Sequence, residues 1–169
     1  MSRIIDPLTE MGVVIESING HIPFTIKPKE LNGISFVPSV ASAQVKSCIM
    51  LAGLGAIGQT VIDENVKTRD HSEIISKELG APVSSNGTIS INPLSRPLQP
   101  FEINVPGDPS SAAFFAAAAA LIPNSSITIK NVLANPTRIG FFQVLKKMGG
   151  GVEWQNMRNE CGESVGDVH

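Results

Sequence analysis

The chain is 169 residues long, 42% apolar and 17% charged, with a formal net charge of −2; this suits one ordinary domain with a core and excludes the low-hydropathy, high-charge class of disordered chains. The weakly acidic balance disfavours a nucleic-acid partner, which calls for a basic face. Two cysteines, Cys48 and Cys161, without metal-ligand spacing exclude a disulfide framework and fit a reducing, cytoplasmic setting.

In chain order, MSRIIDPLTEMG has no apolar signal core, and the longest unbroken apolar run, residues 112–122, falls well short of the ~20 residues that span a bilayer. A soluble protein without a membrane partner is expected. A first helix closes at Gly12, and Val13–Ile18 and Phe24–Ile26 read as strands around an Asn19-Gly20 hairpin turn. Ile34–Val37 is a further strand, after which Ser42 opens a long apolar helix. Thr60–Ile62 reads as a strand, and TRDHSE (residues 68–73) leads into an amphipathic helix that carries Lys77 and Glu78 and closes at Gly80. Asn86-Gly87 marks a second hairpin turn before a strand at Thr88–Ile91, and the proline-rich stretch 93–100 reads as a linker. Phe101–Val105 and Ser126–Ile129 read as strands, Ser110 opens a second apolar helix, and a helix with Lys146 and Lys147 closes at Gly149. Residues 158–169, polar with two glycines, read as a poorly anchored tail.

These elements repeat. Val37-Pro38 recurs as Val105-Pro106 and Ser42 as Ser110, each 68 residues on, and the closing glycines Gly12, Gly80 and Gly149 lie 68 and 69 apart. Glycine after an amphipathic run is the expected left-handed helix terminus. The fold class is therefore α/β (α+β), built of βαβαββ units in which an all-apolar first helix lies inside and an amphipathic second helix flanks it. Residues 3–28 supply half a unit, 34–93 a whole one and 101–157 another, giving a partial domain over 1–157 with the tail 158–169 beyond it. Because the chain opens in mid-repeat, an apolar face of the helix at 42–54 or 110–122 is expected to lie exposed and to favour self-association.

The start of the Ser42 helix is the leading site. A helix start offers unpaired N–H groups and a positive dipole end, which suit an anion, phosphate above all. Ser42 also suits a plain N-cap. The repeat supplies a control: the equivalent start reads PGDPSSAA, with Asp108 where an anion would sit, whereas no carboxylate lies between Leu31 and Asp63, and Lys46 stands in the first turn. The contrast favours the anion at Ser42. Arg69 offers a forked donor to a phosphate or carboxylate, against the plainer reading of a solvated arginine paired with Asp70. His71 reads as a surface residue or cap. No nucleophile motif, phosphate-binding glycine loop, dinucleotide fingerprint or metal-ligand spacing occurs, so no catalytic residue, metal or cofactor is assigned.

SAQVKSCIMLAGL, TRDHSE, VPGDPSSAAFF and NPTRIGFFQVLKKMG, in that order, resemble the 5-enolpyruvylshikimate-3-phosphate synthases, in their Ser-Ala-Gln form, from RIIDPLTEMG to about Trp154. The resemblance implies an enolpyruvyl transferase-like inside-out barrel domain, here incomplete, one of two in which βαβαββ units surround buried parallel helices. It implies transfer of the enolpyruvyl group of phosphoenolpyruvate to shikimate 3-phosphate, a shikimate-pathway step of aromatic amino acid biosynthesis, without cofactor. Ser42, Ala43, Gln44 and Arg69 match positions that hold shikimate 3-phosphate. The family's Lys-Ser-Arg motif, its phosphoenolpyruvate arginine and its second-domain catalytic residues have no match here. The implied partners are thus the two small substrates and the remainder of the enzyme, and the chain alone is expected to be inactive. The alternatives are the related transferase acting on UDP-N-acetylglucosamine and a non-catalytic scaffold or pseudoenzyme.

Overall fold

The computed structural model describes residues 2–169. In chain order the elements are α1 (Ser2–Glu10), β1 (Val14–Ile18), β2 (His21–Lys27), β3 (Ser35–Phe36), α2 (Ala43–Gly53), β4 (Thr60–Ile62), α3 (His71–Glu78), β5 (Val83–Asn86) and β6 (Thr88–Ile91), then α4 (Pro109–Leu121), β7 (Ile129–Leu133), α5 (Gly140–Lys147), β8 (Trp154–Glu160) and β9 (Glu163–Val168). The chain divides into two compact units, the first ending at Pro100 and the second starting at Phe101.

Three helices end by the same device. Gly12, Gly80 and Gly149 have φ of +102°, +75° and +97°, a region costly for any residue with a Cβ. Each glycine N–H reaches back three residues and the next N–H five: Gly12 to Thr9 and Val13 to Leu8, Gly80 to Lys77 and Ala81 to Ser76, Gly149 to Lys146 and Gly150 to Leu145, all at 2.9–3.1 Å. The last helical carbonyls are thereby satisfied, and the chain turns sharply toward the strand that follows.

In the first unit β1 and β2 form a hairpin, while β3, β4, β6 and β5 lie side by side in that order. β3 and β4 run parallel, with α2 as the crossover between them, and β4, β6 and β5 are antiparallel. This is the βαβαββ order read from the sequence. α2 seats Val45, Ile49 and Met50 in a core with Met11, Ile62, Ile89 and Ile91; each such side chain contributes about 1.5–3 kcal/mol of transfer free energy when wholly buried. The stretch 93–100 is fastened to this unit: Leu94 N–H donates to the Leu54 carbonyl at 2.8 Å, and Leu94 and Leu98 pack on the same core.

The second unit repeats the order with its first strand reduced. β7, β9 and β8 lie side by side, antiparallel, and one parallel bridge, Gly107 to Val132, stands where β3 stands in the first unit. The strand expected at Ser126–Ile129 forms further on, as β7 (Ile129–Leu133), and the one expected at Phe101–Val105 does not form. Phe101 and Val105 are exposed, and the flanking Pro100 and Pro106 have no N–H to give to a ladder.

The expected tail is also corrected, because residues 158–168 form the end of β8 and all of β9, and Val165 and Val168 are buried. The turn between these strands is Cys161-Gly162, with φ of +50° and +80°, a two-residue hairpin loop with positive φ at both positions. Gly166 is bare because a Cβ there would collide with the Met157 sulfur and lie 3.1 Å from the Gln155 carbonyl. Buried Glu163 accepts from Asn135 Nδ2 at 2.9 Å, which ties the segment to the loop before α5.

α4 departs from the expectation that an all-apolar helix lies inside. Only Pro109 and Ala112 are buried, whereas Phe114 and Leu121 are 79% and 82% exposed. The exposed apolar face expected from the sequence lies on this helix.

Candidate functional site

α2 begins at an N-cap serine with extended backbone, Ser42 at φ −148° and ψ 109°. Its Oγ accepts from Val45 N–H at 3.5 Å, the outer limit of a hydrogen bond, so the hydroxyl is only lightly engaged as a cap. No acidic residue lies in the first turn. Ser42 and Ala43 are half-buried and Gln44 is exposed. The small Ala43 leaves the first-turn N–H groups approachable, and the amide of Gln44 adds donors in the same turn.

Lys46, counted from the sequence as favouring an anion here, points the other way. It is fully buried, with Nζ 3.1 Å from Glu64 Oε2 and 2.6 Å from Glu73 Oε1. Burying an ammonium is tolerable only against opposite charge, and the two carboxylates supply it. The electrostatics of the helix start therefore come from its dipole and its N–H groups, because the lysine's charge is answered inside the protein.

Arg69 lies just before α3. It is exposed, and Asp70, expected as its partner, instead meets Lys67 at 3.0 Å. That hydrogen bond and charge hold the Lys67 ammonium above the usual lysine range. The guanidinium thus faces solvent with its carboxylate neighbour engaged elsewhere. Asp70 is the N-cap residue of α3 but makes no side-chain capping bond, and His71 is the first helical residue, half-buried with its Nε2 buried.

The two helix starts are joined. Ser47 Oγ donates to the Ala43 carbonyl at 2.8 Å and shares a 2.5 Å hydrogen bond with Ser72 Oγ. Lys46, one residue before Ser47 on α2, meets Glu73, one residue after Ser72 on α3. Glu64 completes the link, since its Oε1 accepts from Thr68 Oγ1 at 2.6 Å, immediately before Arg69. The fold therefore brings Ser42, Ala43 and Gln44 to one helix start and Arg69 to the other, with the first turns bonded across. Glu64, Thr68 and Glu73 were missed in the sequence. The signal available was Lys46, an ammonium between Val45 and the apolar run, which demands a buried acid from somewhere else in the chain.

The start of α4 is filled. Asp108 is its N-cap and Pro109 its first residue; Asp108 Oδ2 accepts from Ser111 N–H and Oγ, both at 3.1 Å, and Oδ1 accepts from Arg138. Partial burial pushes the Asp108 carboxyl up, but the donors on Ser110 and Ser111 and the Arg138 charge outweigh it and hold the group below the usual carboxylate range. Ser110, the repeat partner of Ser42, is not the cap here: it is the second helical residue and accepts from Arg138 at 3.1 Å. The Asp-Pro pair starts this helix early, since aspartate caps well and proline is pre-set for the first helical position.

Among the described residues no group of three His, Cys, Asp or Glu side chains is placed to hold a metal ion, and no helix is long and apolar enough to cross a membrane.

The family model of EPSP synthase (3-phosphoshikimate 1-carboxyvinyltransferase) matches residues 1–166. A 3-phosphoshikimate 1-carboxyvinyltransferase of a Sulfurihydrogenibium species is 47% identical over 176 residues, covering all of this chain and 41% of the relative. One from Thermodesulfovibrio yellowstonii is 47% identical over 171 residues, covering 99% and 40%. The solved EPSP synthase of Acinetobacter baumannii superposes with a TM-score of 0.90 at 39% identity, over the whole of this chain and 39% of its own. The enolpyruvyl transferase NikO of Streptomyces tendae superposes at 0.70 with 14% identity over 98% of this chain and 41% of its own, a likeness of fold alone. The chain spans about 40% of the length of these curated relatives.

Proposed function

Since the chain belongs to the EPSP synthase family, we propose that it carries the part of a 3-phosphoshikimate 1-carboxyvinyltransferase that grips the phosphate of shikimate 3-phosphate. The observation that carries this reading is the open start of α2. Its hydroxyl is barely used as a cap and its first turn holds no carboxylate, beside a second helix start preceded by an arginine whose neighbouring acid pairs with Lys67. A phosphate there takes N–H donors and the dipole of α2, the Ser42 hydroxyl, the Gln44 amide and a forked donor from Arg69. Ala43 keeps the backbone accessible.

In the reaction a shikimate 3-phosphate hydroxyl oxygen adds to the central carbon of phosphoenolpyruvate while its methylene takes a proton. Loss of phosphate together with a proton from the new methyl then restores the double bond. Ser42, Ala43, Gln44 and Arg69 bind and orient in this scheme, and proton transfer belongs to groups other than these four. The 169-residue chain is read as binding without turning over, in the cytoplasm, where the free thiols of Cys48 and Cys161 remain reduced.

The test is a titration of the chain with shikimate 3-phosphate, followed at the backbone amides. Shifts concentrated at residues 42–44 and 69, lost in Ser42→Asp and absent with UDP-N-acetylglucosamine, are expected. Unmoved amides at millimolar ligand, or shifts centred on residues 108–111, overturn the reading.

A further inference from the structure

We propose that Lys46, Glu64 and Glu73, acting through Thr68, are positioning residues that hold Arg69 in register with the start of α2; the inference rests on the phosphate-binding reading above. Arg69 is exposed, so its own packing does not fix it. What fixes its backbone is the residue before it, whose hydroxyl is held by Glu64 at 2.6 Å. The other oxygen of Glu64 is held by Lys46 at 3.1 Å, and Lys46 lies one turn beyond Ser42 on α2. A continuous chain of contacts thus runs from the Ser42 helix start to the arginine. A second link, Ala43 carbonyl to Ser47 to Ser72, runs parallel to it on the α3 side.

The composition of the cluster argues for geometry over stability. One ammonium faces two carboxyl groups, and Glu73 Oε2 is buried without a hydrogen-bond partner among the described residues. Buried ion clusters are commonly no more stabilising than apolar side chains of like volume, and their best-attested use is to fix register. Here the register fixed is that between two phosphate-facing helix starts which are separate in sequence. Anion affinity at such a site depends on donors being held in place before the ligand arrives.

Thr68→Val removes the hydroxyl while keeping the shape, and Thr68→Ser retains it. Shikimate 3-phosphate binding to the 169-residue chain is expected to weaken about three- to tenfold in Thr68→Val and to change less than about twofold in Thr68→Ser. The coupling between Ser42→Ala and Arg69→Ala, measured by a double-mutant cycle, is expected to be present in the unaltered chain and to vanish in the Thr68→Val background. A merely structural role would lower the melting temperature and leave that coupling in place, and this result overturns the inference, as does unchanged affinity in Thr68→Val. If the unaltered chain does not bind shikimate 3-phosphate, the phosphate-binding reading fails, and the positioning is read without ligand from the 15N relaxation of the Arg69 amide. Faster motion in Thr68→Val with rescue in Thr68→Ser supports it, and identical relaxation in all three chains refutes it.

Discussion

The starts of α2 and α4 are two copies of one repeat position solved in different ways. At α4 the protein supplies its own anion: Asp108 takes two donors from Ser111 and one from Arg138, and the helix dipole is neutralised by a side chain. At α2 the cap is a serine at 3.5 Å with no acid in the turn, and the nearby lysine is turned inward to Glu64 and Glu73. The pattern reverses further along the two helices. Lys46 is wholly buried, whereas its counterpart 68 residues on, Phe114, is 79% exposed. The two copies thus share the path of the backbone while charge and burial differ, so that one helix start is free of acid in its first turn and the other is closed by Asp108.

The largest effect separating the copies is expected at this repeat pair. Lys46→Met leaves buried Glu73 and part-buried Glu64 without their ammonium and should cost the first unit about 3–5 kcal/mol, whereas Phe114→Ala should stay within about 0.5 kcal/mol of the unaltered chain. Denaturant melts with amide exchange resolved by unit would show it, and equal losses would break the contrast.

Next come the caps. Asp108→Ala should destabilise the start of α4 by about 1–2 kcal/mol, and Ser42→Ala the start of α2 by less than about 0.5 kcal/mol, given the long capping contact. Exchange rates at the Ser111 and Val45 amides measure each. The pH response follows from the same carboxylate. Its folded pKa is depressed, so its contribution is fully present above the unfolded value of about 3.9 and is lost as the pH falls through the folded value. Protection of the Ser111 amide, its exchange taken relative to the intrinsic rate at each pH, should fall on acidification below about pH 4. In Asp108→Asn, which still caps but carries no charge, that loss of protection should be absent.

A small gain in stability is expected from making α2 resemble α4. Ser42→Asp should stabilise the helix by about 0.3–1 kcal/mol through the dipole and at the same time abolish the shikimate 3-phosphate binding proposed above. A variant that is both more stable and still binds would remove the distinction between an open and a closed start.

How much of this was legible in the sequence depended on how far apart the partners lie. The closing glycines were readable because a left-handed helix terminus is a constraint within five residues, and the Asn19-Gly20 turn, with φ of +52° and +70°, for the same reason. The hairpin at Cys161-Gly162 was missed because cysteine is no usual signal for positive φ, and because the strands on either side carry polar residues on their exposed faces. The absent strand at 101–105 is the converse error: apolar alternation is present there, but the two flanking prolines keep it out of a ladder, and Phe101 and Val105 are exposed. At the candidate site, Ser42, Ala43, Gln44 and Arg69 were singled out by local composition. The role of Lys46 was misjudged, since its partners lie 18 and 27 residues away.

The sequence by itself determined the βαβαββ order, the glycine-closed helix ends and the contrast between an acidic and an acid-free start, because each rests on short-range backbone geometry or on residues within one turn. Only the tertiary structure decided where charge is neutralised, which apolar helix is exposed and how residues 158–168 are anchored. Those outcomes depend on which side chains meet across the fold, and desolvation makes a buried lysine, an aspartate cap and a buried Asn135–Glu163 pair meaningful only once their partners are in place.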